Sequence, residues 1–124
     1  MENFLSEEEL KHFINDYYTM LGYNTTVAWG HSRGADIIAQ KDNECIVIEV
    51  KGCGSRQPMR VNYFLAILGE ILQRMDNSKN KYFIALPKMQ QYKNLWQRLP
   101  NLAKQRTTIK LILVDKNGNL EFFD

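Results

Sequence analysis

The chain has 124 residues, 44% of them hydrophobic and 24% charged, which is the usage of one ordinary globular domain and excludes a disordered or coiled-coil chain. Cys45 and Cys53 are its only cysteines, with no CxxC and no paired histidine, so no zinc spacing is present. The net charge of +2 conceals a split: residues 1–49 carry 3 Lys/Arg against 9 Asp/Glu, and residues 50–124 carry 13 against 5. An acidic half therefore precedes a basic half that could face phosphate.

No apolar run approaches the roughly 18 residues of a membrane span. The acidic start Met1–Glu9 is unlike a signal peptide, so the expected address is the cytoplasm, with no membrane partner. Residues 1–124 are expected to form a single domain.

Ser6 followed by Glu7, Glu8 and Glu9 predicts a helix start, with an N-cap, a capping-box glutamate and acids in the positive first turn. Leu10, Phe13, Ile14, Tyr17 and Leu21 continue at helical spacing until Gly22. Thr25–Trp29 is a short β-prone stretch, and residues 30–34 read as a loop. Ala35–Gln40 and Glu44–Lys51 are the clearest strands, joined by a polar turn at 41–43. The second of them is apolar on both faces through Cys45, Ile46, Val47 and Ile48, as expected of a central strand covered by helices. Cys45 is accordingly expected to be buried, and Cys53 to lie in a loop between Gly52 and Gly54.

Gly52–Pro58 reads as a loop. Val61, Phe64, Leu65, Leu68, Leu72 and Met75 predict an amphipathic helix with this face inward. Lys81–Leu86 is a further strand, stopped by Pro87. Tyr92, Leu95, Trp96 and Leu99 predict another helix, after which Pro100 starts a short turn. Thr108–Val114 and Leu120–Phe123 are strands about a hairpin signal containing Asn117-Gly118. Tyr17, Tyr18, Phe64, Trp96, Phe122 and Phe123 fall mostly on core-facing positions. The fold class is α/β, with a mixed central sheet covered by helices on both faces and a C-terminal helix and strand pair.

Glu49 and Lys51 are two apart on a strand and share one face at its end. If the strands form a hairpin about 41–43, residues whose numbers sum to about 84–86 lie opposite each other, which brings Asp36 near Glu49. Two carboxylates that converge repel unless a cation sits between them or one is protonated. Hard oxygen ligands with no Cys or His nearby favour Mg²⁺ or Mn²⁺ over zinc. A lysine beside such a pair suits metal-assisted phosphodiester hydrolysis. The plainer alternative is a surface hairpin with an ordinary salt bridge.

Gly34-Ala35-Asp36-Ile37-Ile38-Ala39 followed by Ile48-Glu49-Val50-Lys51-Gly52 resembles the signature of the PD-(D/E)XK, or restriction-endonuclease-like, nucleases. The branch most similar contains Mrr-type restriction enzymes and archaeal Holliday-junction resolvases. Ala35 stands where the family name has proline. The similarity in element order covers residues 6–86. Beyond that, the resemblance is to uncharacterised bacterial proteins of the same fold.

The resemblance implies an αβββαβ core and a metal-dependent nuclease hydrolysing DNA. Asp36, Glu49 and the Val50 carbonyl would hold Mg²⁺ or Mn²⁺, and Lys51 would serve the attacking water. A glutamate from the first helix would join them. Glu9 is the best match and Glu8 the substitute, although helix-terminus stabilisation accounts for Glu9 equally well. Around this centre, His31, Ser32 and Arg33 on one side and Ser55, Arg56, Gln57 and Arg60 on the other are candidates for nucleic-acid contact, the latter group leading into a helix N-terminus. Gln73 and Arg74 could equally be solvated. The competing readings are a non-catalytic DNA- or protein-binding module of the same fold, and a subunit whose target is chosen by a partner in a larger nuclease system or by a second copy in a homodimer.

Overall fold

A computed structural model describes residues 5–30 and 34–124. The chain opens with α1 (Glu7–Met20), followed by β1 (Asn24–Val27), β2 (Ile37–Lys41) and β3 (Glu44–Val50). Then come α2 (Gln57–Gln73), β4 (Lys81–Pro87), α3 (Gln90–Arg98), α4 (Asn101–Thr107), β5 (Lys110–Val114) and β6 (Leu120–Phe123). Among the described residues the strands form one sheet in chain order, β1 to β6. β1–β2, β2–β3 and β5–β6 pair antiparallel, while β3–β4 and β4–β5 pair parallel across helical crossovers. This is the mixed α/β sheet that the element order predicts.

The sheet divides two apolar layers. On one side Leu10, Ile14 and Tyr18 of α1 pack over Ile37, Ile46, Ile48, Ala85 and Ile112. On the other, Phe64, Ile67 and Ile71 of α2 join Tyr92 and Trp96 of α3 over Val47, Ile84, Leu111 and Leu113. β3 and β4 are apolar on both faces because helices cover both. Ser6 caps α1 as expected: its side chain accepts from the Glu9 N–H at 3.1 Å, and the Glu9 carboxylate accepts from the Ser6 N–H at 3.0 Å. The β2–β3 hairpin turns at Asp42-Asn43, with Asp42 at φ 53°, a left-handed conformation that Asp tolerates better than most residues.

Three details differ from the sequence expectation. α2 is apolar on more than one side, so periodicity alone does not select its inward face. Phe64, Ile67 and Ile71 are buried, whereas Val61, Leu65 and Leu72 are 37%, 60% and 49% exposed. Cys45 is only half-buried; Cys53 lies in the expected loop and is itself buried, with its thiol 3.1 Å from Met89 Sδ. Phe122 is 41% exposed, because its strand lies at the sheet edge.

Candidate active site

The register pairs Ile37 with Ile48, so the next step of the ladder sets Asp36 opposite Glu49, as the sum of their numbers predicts. The two residues then bind each other's backbone. The Asp36 N–H donates to Glu49 Oε2 at 3.0 Å, and the Val50 N–H donates to Asp36 Oδ2 at 2.8 Å. This reciprocal pair clamps the start of β2 to the end of β3. Both carboxylates thus sit at the carboxyl end of a central strand, where open α/β sheets bind their ligands.

Strand alternation turns Glu49 and Lys51 to the same side, toward α2. Glu49 is 2% exposed. Arg74, just past the end of α2, places its buried Nε 3.6 Å from Glu49 Oε2, an ion-pair distance too long for a hydrogen bond, and donates from a terminal nitrogen to the Gly34 carbonyl at 3.1 Å. Arg74 therefore belongs to the site, while Gln73 beside it is exposed. Burial, followed by repulsion from Asp36, pushes the Glu49 carboxyl up to about 7, and the attraction of Arg74 only partly offsets this. Lys51 is partly exposed. Its Nζ lies 3.4 Å from Glu70 Oε1 and 5.7 Å from the centre of the Tyr63 ring, both on α2.

The first helix contributes differently from the sequence expectation. Glu9 is exposed and engaged in the capping box, so its carboxylate serves the helix start and does not join the cluster. Glu8 is also exposed and accepts from the Gly30 N–H at 3.3 Å. It is Glu7 that faces the site. Burial and the negative charge of Asp36 raise its pKa, while Lys11 and Lys51 pull it down.

Lys11, one helical turn on, is a member of the site that the sequence patterning misses. It is 1% exposed, donates to the Ala28 carbonyl at 2.6 Å, and lies 3.4 Å from Asp36 Oδ1 and 3.5 Å from Glu7 Oε2. A sequence signal exists in retrospect: Lys11 shares its helix face with Ile14 and Tyr18, so it is the one cation in α1's apolar stripe. Long aliphatic stems allow a lysine to lie there while its head reaches polar partners.

The loop after β3 closes the arrangement. Gly52 passes close to the start of α1, where a Cβ would lie 3.2 Å from the Glu7 backbone nitrogen. Buried Tyr92 of α3 holds its hydroxyl 3.1 Å and 2.9 Å from the Gly52 and Cys53 carbonyls, fixing the loop from the other side. Between this loop and α1 opens a cleft of about 420 Å³, onto which Glu7, Lys51, Ser55 and Tyr63 face.

Ser55, Arg56 and Gln57 are exposed at the start of α2, and Arg56 is its N-cap residue, making no side-chain capping bond. Arg60 is half-buried and donates to Gln91 at 3.2 Å, while Gln91 donates to the Gln57 carbonyl at 2.9 Å. Of these four, Ser55 lines the same cleft as Lys51, while Arg60 and Gln57 are tied to α3 through Gln91. Arg33, with His31 and Ser32, lies outside the described residues.

Among the described residues, no three His, Cys, Asp or Glu side chains are gathered as a ready metal cage. The donors that converge are two carboxylates, Asp36 and Glu49, beside the Val50 backbone. This hard oxygen set suits Mg²⁺ or Mn²⁺. The Glu49 carboxyl is raised first by its burial and then by Asp36 beside it, and a cation between the two carboxylates would relieve that repulsion. Among the described residues, four carboxylates (Glu7, Asp36, Glu49, Glu70) meet three cations (Lys11, Lys51, Arg74) through ion pairs of 3.4–3.6 Å, which leaves an excess of negative charge.

No described helix is long and apolar enough to cross a membrane. No known protein-family profile matches the chain, and no curated protein matches it significantly. Two solved structures share its fold. One is a XisH family protein from Nostoc punctiforme PCC 73102, with TM-score 0.61 and 17% identity over 93% of this chain and 98% of that one. The other is an fdxN element excision controlling factor protein from Anabaena variabilis, with TM-score 0.62 and 18% identity over 94% and 99%. At these identities the likeness establishes that the chain has the fold of the XisH family protein, over nearly its whole length.

Proposed function

We propose that this chain is a divalent-metal-dependent nuclease of the PD-(D/E)XK type, hydrolysing DNA phosphodiester bonds in the cytoplasm. The observation that carries the reading is the convergence of Asp36 and Glu49 at the end of β3, with Lys51, one residue past that strand, facing an open cleft. Asp36, Glu49 and the Val50 carbonyl would hold Mg²⁺ or Mn²⁺, which supplies charge stabilisation for the phosphoryl oxygen and the departing oxygen. Lys51 would orient the attacking water or a phosphate oxygen from the cleft floor. Its present partner Glu70 is 42% exposed, and so weakly held that Lys51 can exchange it for substrate. Arg56 and Arg60 would anchor flanking phosphates, joined by the Ser55 hydroxyl and the Gln57 side chain. A second copy of the chain or a larger nuclease system would choose the target.

A second reading, a non-catalytic binding module, draws support from the ion pairs of Lys11 and Arg74, which already engage both carboxylates. The test is cleavage of a panel of duplex, junction, flap and single-stranded DNA with Mg²⁺ or Mn²⁺, with Asp36→Ala as the blank. Nuclease action predicts cleavage of at least one substrate. Lys51→Ala should lower it by roughly 100-fold or more while thermal unfolding stays unchanged. DNA binding without cleavage under either metal, unaltered by Lys51→Ala, would establish the module instead.

A further inference from the structure

Asp36 stands between two other carboxylates, with Glu49 on one side across the hairpin and Glu7 on the other from α1. Among the described residues no three carboxylates close around one ion, while paired cations about 3.5–4 Å apart can share a middle carboxylate. On the Glu7 side that place is taken. The Lys11 ammonium lies 3.4 Å from Asp36 Oδ1 and 3.5 Å from Glu7 Oε2. Its bond to the Ala28 carbonyl at 2.6 Å and its burial leave it no solvent to retreat into. On the Glu49 side the only cation in contact, among the described residues, is Arg74, 35% exposed and too distant to hydrogen bond.

From this asymmetry we infer that Lys11 is a built-in second cation, so that the site takes a single divalent ion, on the Asp36–Glu49 side. Lys11 is then a positioning residue: it fixes Asp36 and Glu7 and excludes a second metal by charge. The inference rests on the metal site proposed above and adds its stoichiometry. A divalent ion placed between Glu7 and Asp36 would meet the ammonium at a few ångströms, inside a wall of low dielectric where that repulsion is weakly screened. Expelling Lys11 instead would strand a buried charge away from water.

The experiment is Mn²⁺ binding to the whole chain, read by calorimetry and by the loss of the free-ion paramagnetic resonance signal, with no substrate present. One Mn²⁺ per chain is expected in the wild type and two in Lys11→Met, which keeps the length of the stem and removes the charge. Glu7→Gln should keep one ion per chain and weaken its binding by no more than about 100-fold, the range for a residue that acts through a ligand, because Lys11 and not the ion engages Glu7. That variant keeps the inference testable if Lys11→Met does not fold. Two ions in the wild type, a single ion in a folded Lys11→Met, or a loss well beyond about 100-fold in affinity in Glu7→Gln would each overturn the role of Lys11 while leaving a metal site standing. Absence of Mn²⁺ binding in the wild type would overturn the metal site itself, and the single-ion inference with it.

Discussion

Replacing Glu49 by glutamine tests the electrostatics of the site without reference to any activity. Glu49 is 2% exposed, and burial together with Asp36 raises its carboxyl from 4.5 to about 7. Raising a pKa by one corresponds to about 1.36 kcal/mol, so ionising this group in the folded protein costs on the order of 3 kcal/mol more than in the unfolded chain. Because the pKa is raised, the folded state holds its proton more tightly. The associated stability is complete below pH 4.5 and is lost as pH rises through about 7. Glutamine has the same shape, can accept the Asp36 N–H, and does not titrate.

Urea denaturation of both proteins, with chelator present, should therefore show the wild type losing about 3 kcal/mol relative to Glu49→Gln between about pH 4.5 and pH 8. The Arg74 attraction acts only on the ionised Glu49 and is already contained in the value of about 7, so it lessens the slope of the difference curve and adds no separate offset. A flat difference curve would refute the reasoning, because it would mean that Arg74 and the backbone already compensate the Glu49 charge. A curve of opposite slope would mean that they over-compensate it.

The inward face of α2 gives a second test. Ile67→Ala should cost about 2–5 kcal/mol by leaving a cavity beneath the sheet, and Leu65→Ala should fall within about 0.5 kcal/mol, since Ile67 is 0% and Leu65 60% exposed. Denaturation midpoints in the reverse order would place the helix wrongly by roughly half a turn. At Gly118, φ is +89° and a Cβ would lie 2.5 Å from Phe13 Cδ1. Gly118→Ala is expected to lower stability by about 1–3 kcal/mol in the same assay. An unchanged midpoint would show that the Phe13 ring gives way freely.

The local parts of this protein were legible because they depend on nearest neighbours along the chain. The Ser6–Glu9 capping box, the turn at Asp42-Asn43 and the alternation that sets Glu49 and Lys51 on one face all follow from spacing alone. So does the approach of Asp36 to Glu49, since a short turn fixes the register of the hairpin it closes. The same holds for the mixed sheet and for the order of elements apart from α4, where the sequence reads only a short turn after Pro100.

What the tertiary structure decided is how the helices are rotated against that sheet. α1 turns Glu7 and Lys11 toward Asp36 and leaves Glu9 in its cap; α2 buries Ile67 where an equally apolar neighbour, Leu65, could have faced in. Helical periodicity defines a stripe but not its partner, and a stripe that contains a lysine is decided by whether carbonyls and carboxylates await its head. Those groups arrive from Ala28 and Asp36, residues 17 and 25 positions farther along the chain than Lys11, and only the packed fold brings them within reach. The sequence by itself therefore determined the pair of strands that carry the acids and Lys51, while the packing of α1 and α2 determined which other charges meet them.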